Sequence, residues 1–189
     1  MKRLKPDKRA ARTRQALLQA FFTLVLEQRY EDIRISDIVS RARVGRSTLY
    51  QHFRSKDAIL ATSLQGPFRV LAALVDEPPC EQLGPLLHHF WENRAMARTI
   101  YGGRLRQVAV RVLARLIEDH WTSAPGEPVS LIIPTRLAAL QIAEALLAPI
   151  TAWVLGEARC SAAALALALR QTAAALVMAL NQRRVYLTS

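Results

Sequence analysis

Apolar residues recur at helical spacing along most of the chain, and no stretch alternates apolar and polar positions as a half-buried strand does. Residues 8–28 place Leu18, Phe21, Phe22 and Val25 on one face, which predicts a first amphipathic helix. A short second helix is expected over 35–42, where Ile35, Ile38, Val39 and Ala42 fall at i, i+3, i+4 and i+7. Arg43-Val44-Gly45 is then a turn, with Gly45 placed to cap the next helix. Residues 46–52 predict a third short helix that turns only Leu49, and Phe53 just after it, toward a core. Ser55 caps a fourth helix with Asp57 in its favourable first turn, and that helix runs to about Val75.

The pattern breaks at Glu77–Pro85 and resumes as two helices, 86–97 and 102–121, parted near Tyr101-Gly102-Gly103. Thr122–Val129 is a loop by its Pro, Gly and Ser content. Two long apolar helices close the chain, 130–155 and 161–182, broken around Gly156. The expectation is an all-α protein. About half of its 189 residues are hydrophobic and only seven are Gly, which agrees with a helical chain that has a substantial core.

Charge changes this picture. The formal net charge is +11, but residues 1–56 carry 14 Lys or Arg against 5 Asp or Glu, an excess of nine. Residues 57–189 carry 12 against 10, an excess of two. A basic excess confined to the first third is the footprint of a polyanion-binding module.

Within that third, the stretch ARVGRSTLYQHFRSK crowds cations, hydroxyls and aromatics onto a turn and a short helix. Two short helices joined by a three-residue turn make a helix-turn-helix, braced by the first helix and the start of the fourth. The outer face of the third helix then shows Arg46, Ser47, Thr48, Tyr50 and His52. The DNA major groove admits one α-helix, where Arg suits guanine and Ser or Thr meets bases, methyl groups or phosphates. Tyr50 and His52, farther along, are expected to position on phosphate. Lys56 is expected at an anion beside the N-terminus of the fourth helix. Arg12 and Arg14 sit near the start of the first helix, the wrong end for its dipole, and an anion would account for them.

Residues 13–60 resemble the DNA-binding domain of the tetracycline-repressor (TetR) family of bacterial transcription regulators. Thr13-Arg14, Tyr30, Ile35, Asp37, Ile38, Ala42 and Val44 match its frame, and Thr48-Leu49-Tyr50, His52-Phe53 and Ser55-Lys56-Asp57 its most specific part. Two positions depart from the pattern: Arg43 where many members have Gly, and Arg34 where many have a capping Thr. The resemblance implies a three-helix DNA-binding domain, residues 1–56, and a larger helical effector-binding and dimerisation domain, residues 57–189. The residues expected at DNA are Arg12, Arg14, Arg34, Ser36, Arg43, Gly45, Arg46, Ser47, Thr48, Tyr50, His52 and Lys56. A ligand pocket is expected at His88, Trp91, Tyr101 and Leu105, and a four-helix dimer interface at Ala143, Leu147, Ile150, Leu165, Leu169 and Leu176.

The function expected is a homodimeric, cytoplasmic, sequence-specific regulator, a repressor released from a palindromic double-stranded operator by a small-molecule effector. The alternative is a DNA-binding protein of the same fold without an effector, acting through a protein partner or DNA organisation. An enzyme is not expected: there is no nucleophile elbow, phosphate loop or zinc helix, and no cofactor or metal is implied. Glu118-Asp119-His120 simply ends a helix, where His is favoured. Cys80 and Cys160 fit no metal or redox spacing. Export is rejected because Gln19 interrupts the first apolar run and EQRYED follows it. Leu137–Leu155 is long enough to span a membrane, but Gln141, Glu144 and Pro149 favour a helix buried against protein. Arg94, Arg98, Arg104, Arg111 and Arg115 fit either an anionic ligand or solvated helix faces.

Overall fold

The computed structural model describes residues 8–76, 81–103, 105–123 and 129–181. Among them every regular element is helical. The chain divides into two compact units between Ser63 and Leu64, inside the fourth helix.

The first unit holds α1 (Lys8–Glu27), a 3-10 turn at Tyr30–Asp32, α2 (Ile35–Ala42), α3 (Arg46–His52) and the start of α4 (Lys56–Ala72). On α1 the buried residues are Leu17, Ala20, Phe21, Leu24 and Val25. Leu18 and Phe22, expected on the same face, are half-buried, so the inner face is turned slightly from the expected one. Ile33, Ile38, Leu49, Phe53, Ile59 and Leu60 complete the core of this unit. Arg41 on α2 donates from both terminal nitrogens to the Glu27 carboxylate, at 2.9 and 2.5 Å, and ties α2 to the end of α1. That hydrogen bonding holds the Glu27 carboxyl below its ordinary range and raises the Arg41 guanidinium.

Arg34 is the N-cap of α2 without an acceptor of its own. Half of a capping box replaces it: the Asp37 carboxylate accepts the Arg34 backbone N–H at 2.8 Å. Arg43 ends α2 in the left-handed region, at φ 53°. Its conformation lets the Val44 N–H reach back to the Val39 carbonyl at 3.0 Å. The expected Ser55 cap on α4 is present, with its hydroxyl accepting the Ala58 N–H at 3.1 Å.

Lys56, expected at an anion, has backbone partners in this structure. Its Nζ donates to the carbonyls of Tyr30, Ile33 and Glu31, at 2.6, 3.0 and 3.3 Å, and lies 4.3 Å from the centre of the Tyr30 ring. The Tyr30 hydroxyl in turn bonds Asp57. An ammonium with three donors and three carbonyl partners joins the 3-10 turn to α4.

The second unit holds the rest of α4, a 3-10 turn at Ala73–Val75, α5 (Leu83–Glu92), α6 (Arg94–Tyr101), α7 (Leu105–Ser123), α8 (Thr135–Leu155) and α9 (Ala162–Leu180). The single helix expected at 86–97 is two helices, because Asn93 stops one and starts the next. Its side-chain amide donates to the His89 carbonyl at 2.9 Å, while its own carbonyl accepts from Ala97 at 3.0 Å. The helix expected from residue 130 starts only at Thr135. Pro134 biases Ile133 away from helical geometry, and the segment before it is non-helical, with Ile132 N–H bonded to the Leu180 carbonyl at 2.9 Å. α8 is the spine of this unit: Ala138, Ala139, Ile142, Ala143, Leu146, Leu147, Ile150 and Val154 are fully buried. Ala109, Leu113, Ala114 and Ile117 of α7 are equally buried, and alanines on both helices allow close approach. Gly156 closes α8 at φ 83°, where only a residue without Cβ is unstrained.

Three segments are long and apolar enough to cross a membrane by length and composition: Lys56–Val75, Thr135–Leu155 and Ala162–Leu180. Half of the Thr135–Leu155 window is buried within the protein, but only 28% of that in α9.

Two substitutions test the first unit. Lys56→Met removes all three carbonyl partners of the ammonium and lowers the unfolding free energy in urea by about 2 kcal/mol. A phosphate-anchoring lysine would leave that stability unchanged. Arg43→Gly relieves the left-handed strain and raises stability by about 0.5–1 kcal/mol in the same assay.

Candidate nucleic-acid interface

α3 has seven residues, and one of them, Leu49, is fully buried. At the helical repeat, Ser47 and Gln51 lie within about 20° of the direction opposite Leu49. Thr48 and Tyr50 flank them, and Arg46 and His52 lie nearer the core side. Ser47 and Gln51 are exposed and His52 is half-buried, as this places them; Arg46 is exposed despite its bearing, at the first residue of the helix, and Tyr50 is exposed where Thr48 is half-buried. Tyr50 keeps 47% of its surface open. The Arg46 guanidinium stands 5.9 Å from the centre of the Tyr50 ring, one turn away. Gln51 was not among the expected contacts. Its place two residues after the core leucine was the available signal.

The other expected DNA residues surround α3 unevenly. Gly45 is the N-cap of α3 in ordinary extended geometry, and its carbonyl accepts the Leu49 N–H at 3.1 Å. Arg43 is exposed at the end of α2, on the turn that leads into α3. Arg14 is exposed on α1, with its guanidinium 5.5 Å from the ring of Phe53, the residue that ends α3. Arg12 is exposed one turn from the start of α1. Arg34 and Ser36 are exposed at the N-terminal end of α2, the end away from the turn into α3. The geometry therefore brings Arg43, Gly45, Arg46, Ser47, Thr48, Tyr50, His52 and Arg14 together, while Lys56 is engaged by backbone carbonyls.

In the second unit the expected pocket divides. His88 and Trp91 line a cavity of about 210 Å³ together with Trp153, Cys160 and Ala162. Tyr101 and Leu105 do not line it, since both are buried at 2% exposure. Tyr101 packs between Phe90 and Phe68, with ring centres 5.8 and 6.5 Å away, and burial pushes its phenol well above the ordinary range. No periodicity could separate these roles, because they depend on which helices meet.

Of the residues expected at a dimer interface, Ala143, Leu147, Ile150, Leu165 and Leu169 are buried within the chain itself, and Leu176 is half-buried. They belong to the faces by which α8 and α9 join the unit. The opposite face of α9 stays open, with Ala164, Leu167, Ala168, Gln171, Ala174, Ala175, Met178 and Ala179 all exposed.

The arginines of the second unit serve several ends. Arg98 donates to the Val154 carbonyl at 3.0 Å and helps close α8. Arg115 pairs with Asp119 at 3.5 Å, and the Arg94 guanidinium lies 5.5 Å from the Trp91 ring centre. Arg111 is exposed, and Arg104 lies outside the described residues, as does Cys80. Glu118, Asp119 and His120 turn to three different partners, Arg136, Arg115 and Asp76. Among the described residues, no group of three or more His, Cys, Asp or Glu is placed to hold a metal ion.

Comparison with known proteins agrees with the first unit. Residues 17–62 match the family described as bacterial regulatory proteins, tetR family. A Bacillus subtilis (strain 168) protein described as the uncharacterized HTH-type transcriptional regulator YxbF is 39% identical over 71 residues. That match covers 37% of this chain and 18% of the relative's length. The fold as a whole resembles the crystal structure of a TetR-family regulator from Streptomyces coelicolor A3, with a TM-score of 0.62 at 17% identity, over 94% of this chain and 99% of that one. It also resembles NalD, the secondary repressor of the MexAB-OprM multidrug efflux pump in Pseudomonas aeruginosa, with a TM-score of 0.50 at 20% identity, over 93% and 99%. Residues 17–62 are thus similar to the tetR family of bacterial regulatory proteins over the stretch that holds the helix-turn-helix.

Proposed function

We propose that the chain is a homodimeric, cytoplasmic repressor that reads a near-palindromic operator through α3 and leaves it when a small molecule binds the second unit. The observation that carries the reading is the exposed face of α3. Ser47 and Gln51 stand opposite a fully buried Leu49, and Arg46 and Tyr50 are exposed beside them. Such a face, on a helix held at one side only, suits the major groove, where Arg reads guanine and Gln reads adenine with paired hydrogen bonds. Arg43 and Arg14 supply phosphate contacts around it. A two-fold dimer would set two such helices about 34–36 Å apart, one turn of DNA.

The open face of α9 supports the dimer. Its leucine and methionine are half-exposed, Leu167 and Met178 at 49% each, and the alanines between them let a second helix approach closely. Arg170 and Gln171 at mid-helix are both exposed, which fits a protein partner better than lipid. The effector would favour a dimer whose α3 helices no longer fit the operator. This requires the ligand to prefer one of two states.

Two measurements test these claims. Operator sites are first selected from random duplexes. Arg46→Ala then weakens anisotropy-measured binding to the selected site by about 1–3 kcal/mol and relaxes preference at one base pair. Equal binding of wild type and variant, on selected and scrambled DNA alike, would remove α3 as the reader. Leu167→Asp places a charge on the open face of α9 without touching the core. It yields a folded monomer in sedimentation with reduced operator affinity, and a variant that stays dimeric would move the interface elsewhere.

A further inference from the structure

Trp91 and Trp153 form an aromatic corner at the surface of the second unit. Their ring centres are 4.8 Å apart and their planes meet at 33°. Trp153 is buried, and its indole N–H donates to the Cys160 carbonyl at 3.1 Å, so the segment between α8 and α9 fixes its ring. Trp91, on α5, keeps 42% of its surface open. His88 sits one turn before Trp91, with its Nε2 held by Glu92 at 3.1 Å. Cys160, exposed, and Ala162, the first residue of α9, complete the wall of the cavity of about 210 Å³.

Size and chemistry narrow the occupant. An apolar cavity of about 150 Å³ takes one benzene ring. The present one, about 210 Å³ and open to solvent on one side, has room for a ring with a small substituent. Two indoles at an angle offer a π face and a ring edge together, which favours an aromatic guest over an aliphatic one of equal area. His88 supplies a polar edge for the substituent.

We propose that this cavity binds a single-ring aromatic molecule packed against Trp91 and Trp153. The role of that ligand as effector rests on the regulator reading above. The site itself is tested apart from it, because Cys160 reports occupancy directly. In full-length Cys80→Ser protein, the rate of Cys160 alkylation by N-ethylmaleimide is measured with benzoate, phenol or benzyl alcohol present, and with cyclohexanol as the aliphatic control. Tryptophan fluorescence is read in parallel.

At least one of the aromatic probes slows alkylation several-fold, with the same midpoint as the fluorescence change, and cyclohexanol does neither. Trp91→Ala, at a half-exposed position, keeps its helical circular dichroism and loses the protection. Ala162→Phe, which fills the cavity from its α9 side, abolishes the probe-dependent fluorescence change. Alkylation that no aromatic probe slows, or protection that survives Trp91→Ala, overturns the proposal. Protection without any loss of operator affinity supports the site and sinks its role as effector. Release of operator by another compound, without protection, overturns this site and leaves the ligand-responsive regulator standing.

Discussion

A helix of seven residues makes too few internal hydrogen bonds to persist alone, so α3 exists only because Leu49 is buried against its neighbours. The organisation of the first unit follows from that need. α1 supplies the apolar wall through Phe21 and Leu17, and Arg41 on Glu27 fixes α2 against it. Lys56 gathers three carbonyls of the preceding turn and sets where α4 begins. One side of α3 is thereby consumed in packing, and the other is left to polar residues that the fold does not need. The division between inward leucine and outward serine, glutamine and arginine is what makes a binding surface out of a structural helix.

The second unit solves a different problem. α8 is buried along most of its length, and its neighbours supply the cover. The inward face of such a helix is consumed in packing, so Ile142, Leu146, Leu147 and Ile150 are absent from any surface a partner would meet, while Leu137 stays 53% exposed. α9 packs on it through Leu165, Leu169 and Ala173 and leaves a broad apolar face outside. The unit therefore carries two open apolar features of unlike shape, a long smooth helix face and a small aromatic corner. The first suits another helix and the second a compact ring.

Much of the first unit was legible in the sequence because its signals are local. The bounds of α2 and α3, the Ser55 cap and the buried Leu49 all follow from caps and spacing within a few residues. The carbonyl partners of Lys56 were not legible, because a cation beside a helix N-terminus looks the same in sequence whether its partner is a phosphate or a backbone carbonyl. In the second unit the helices were legible and their meetings were not. Apolar spacing told that Leu147 and Leu165 would be covered, but not by which neighbours. Likewise a tyrosine and a tryptophan ten residues apart gave no sign that Tyr101 would be core and Trp91 surface. Asn93 and Pro134 were readable as breakers, yet the apolar run on either side outweighed them in the pattern.

The non-helical segment ahead of α8 has a topological effect. Ile132 bonds the last carbonyl of α9, and Leu131 pairs with Asn181 as an isolated antiparallel bridge. The other ends of the two helices are joined covalently through residues 156–161. α8 and α9 thus form a closed ring of chain, linked by peptide at one end and by hydrogen bonds at the other. Helix ends ordinarily unwind one turn at a time, but the last turn of α9 has to release a neighbouring segment to do so. Fraying at that end therefore breaks the Ile132–Leu180 hydrogen bond as well, which adds about 1 kcal/mol to the opening of the last turn.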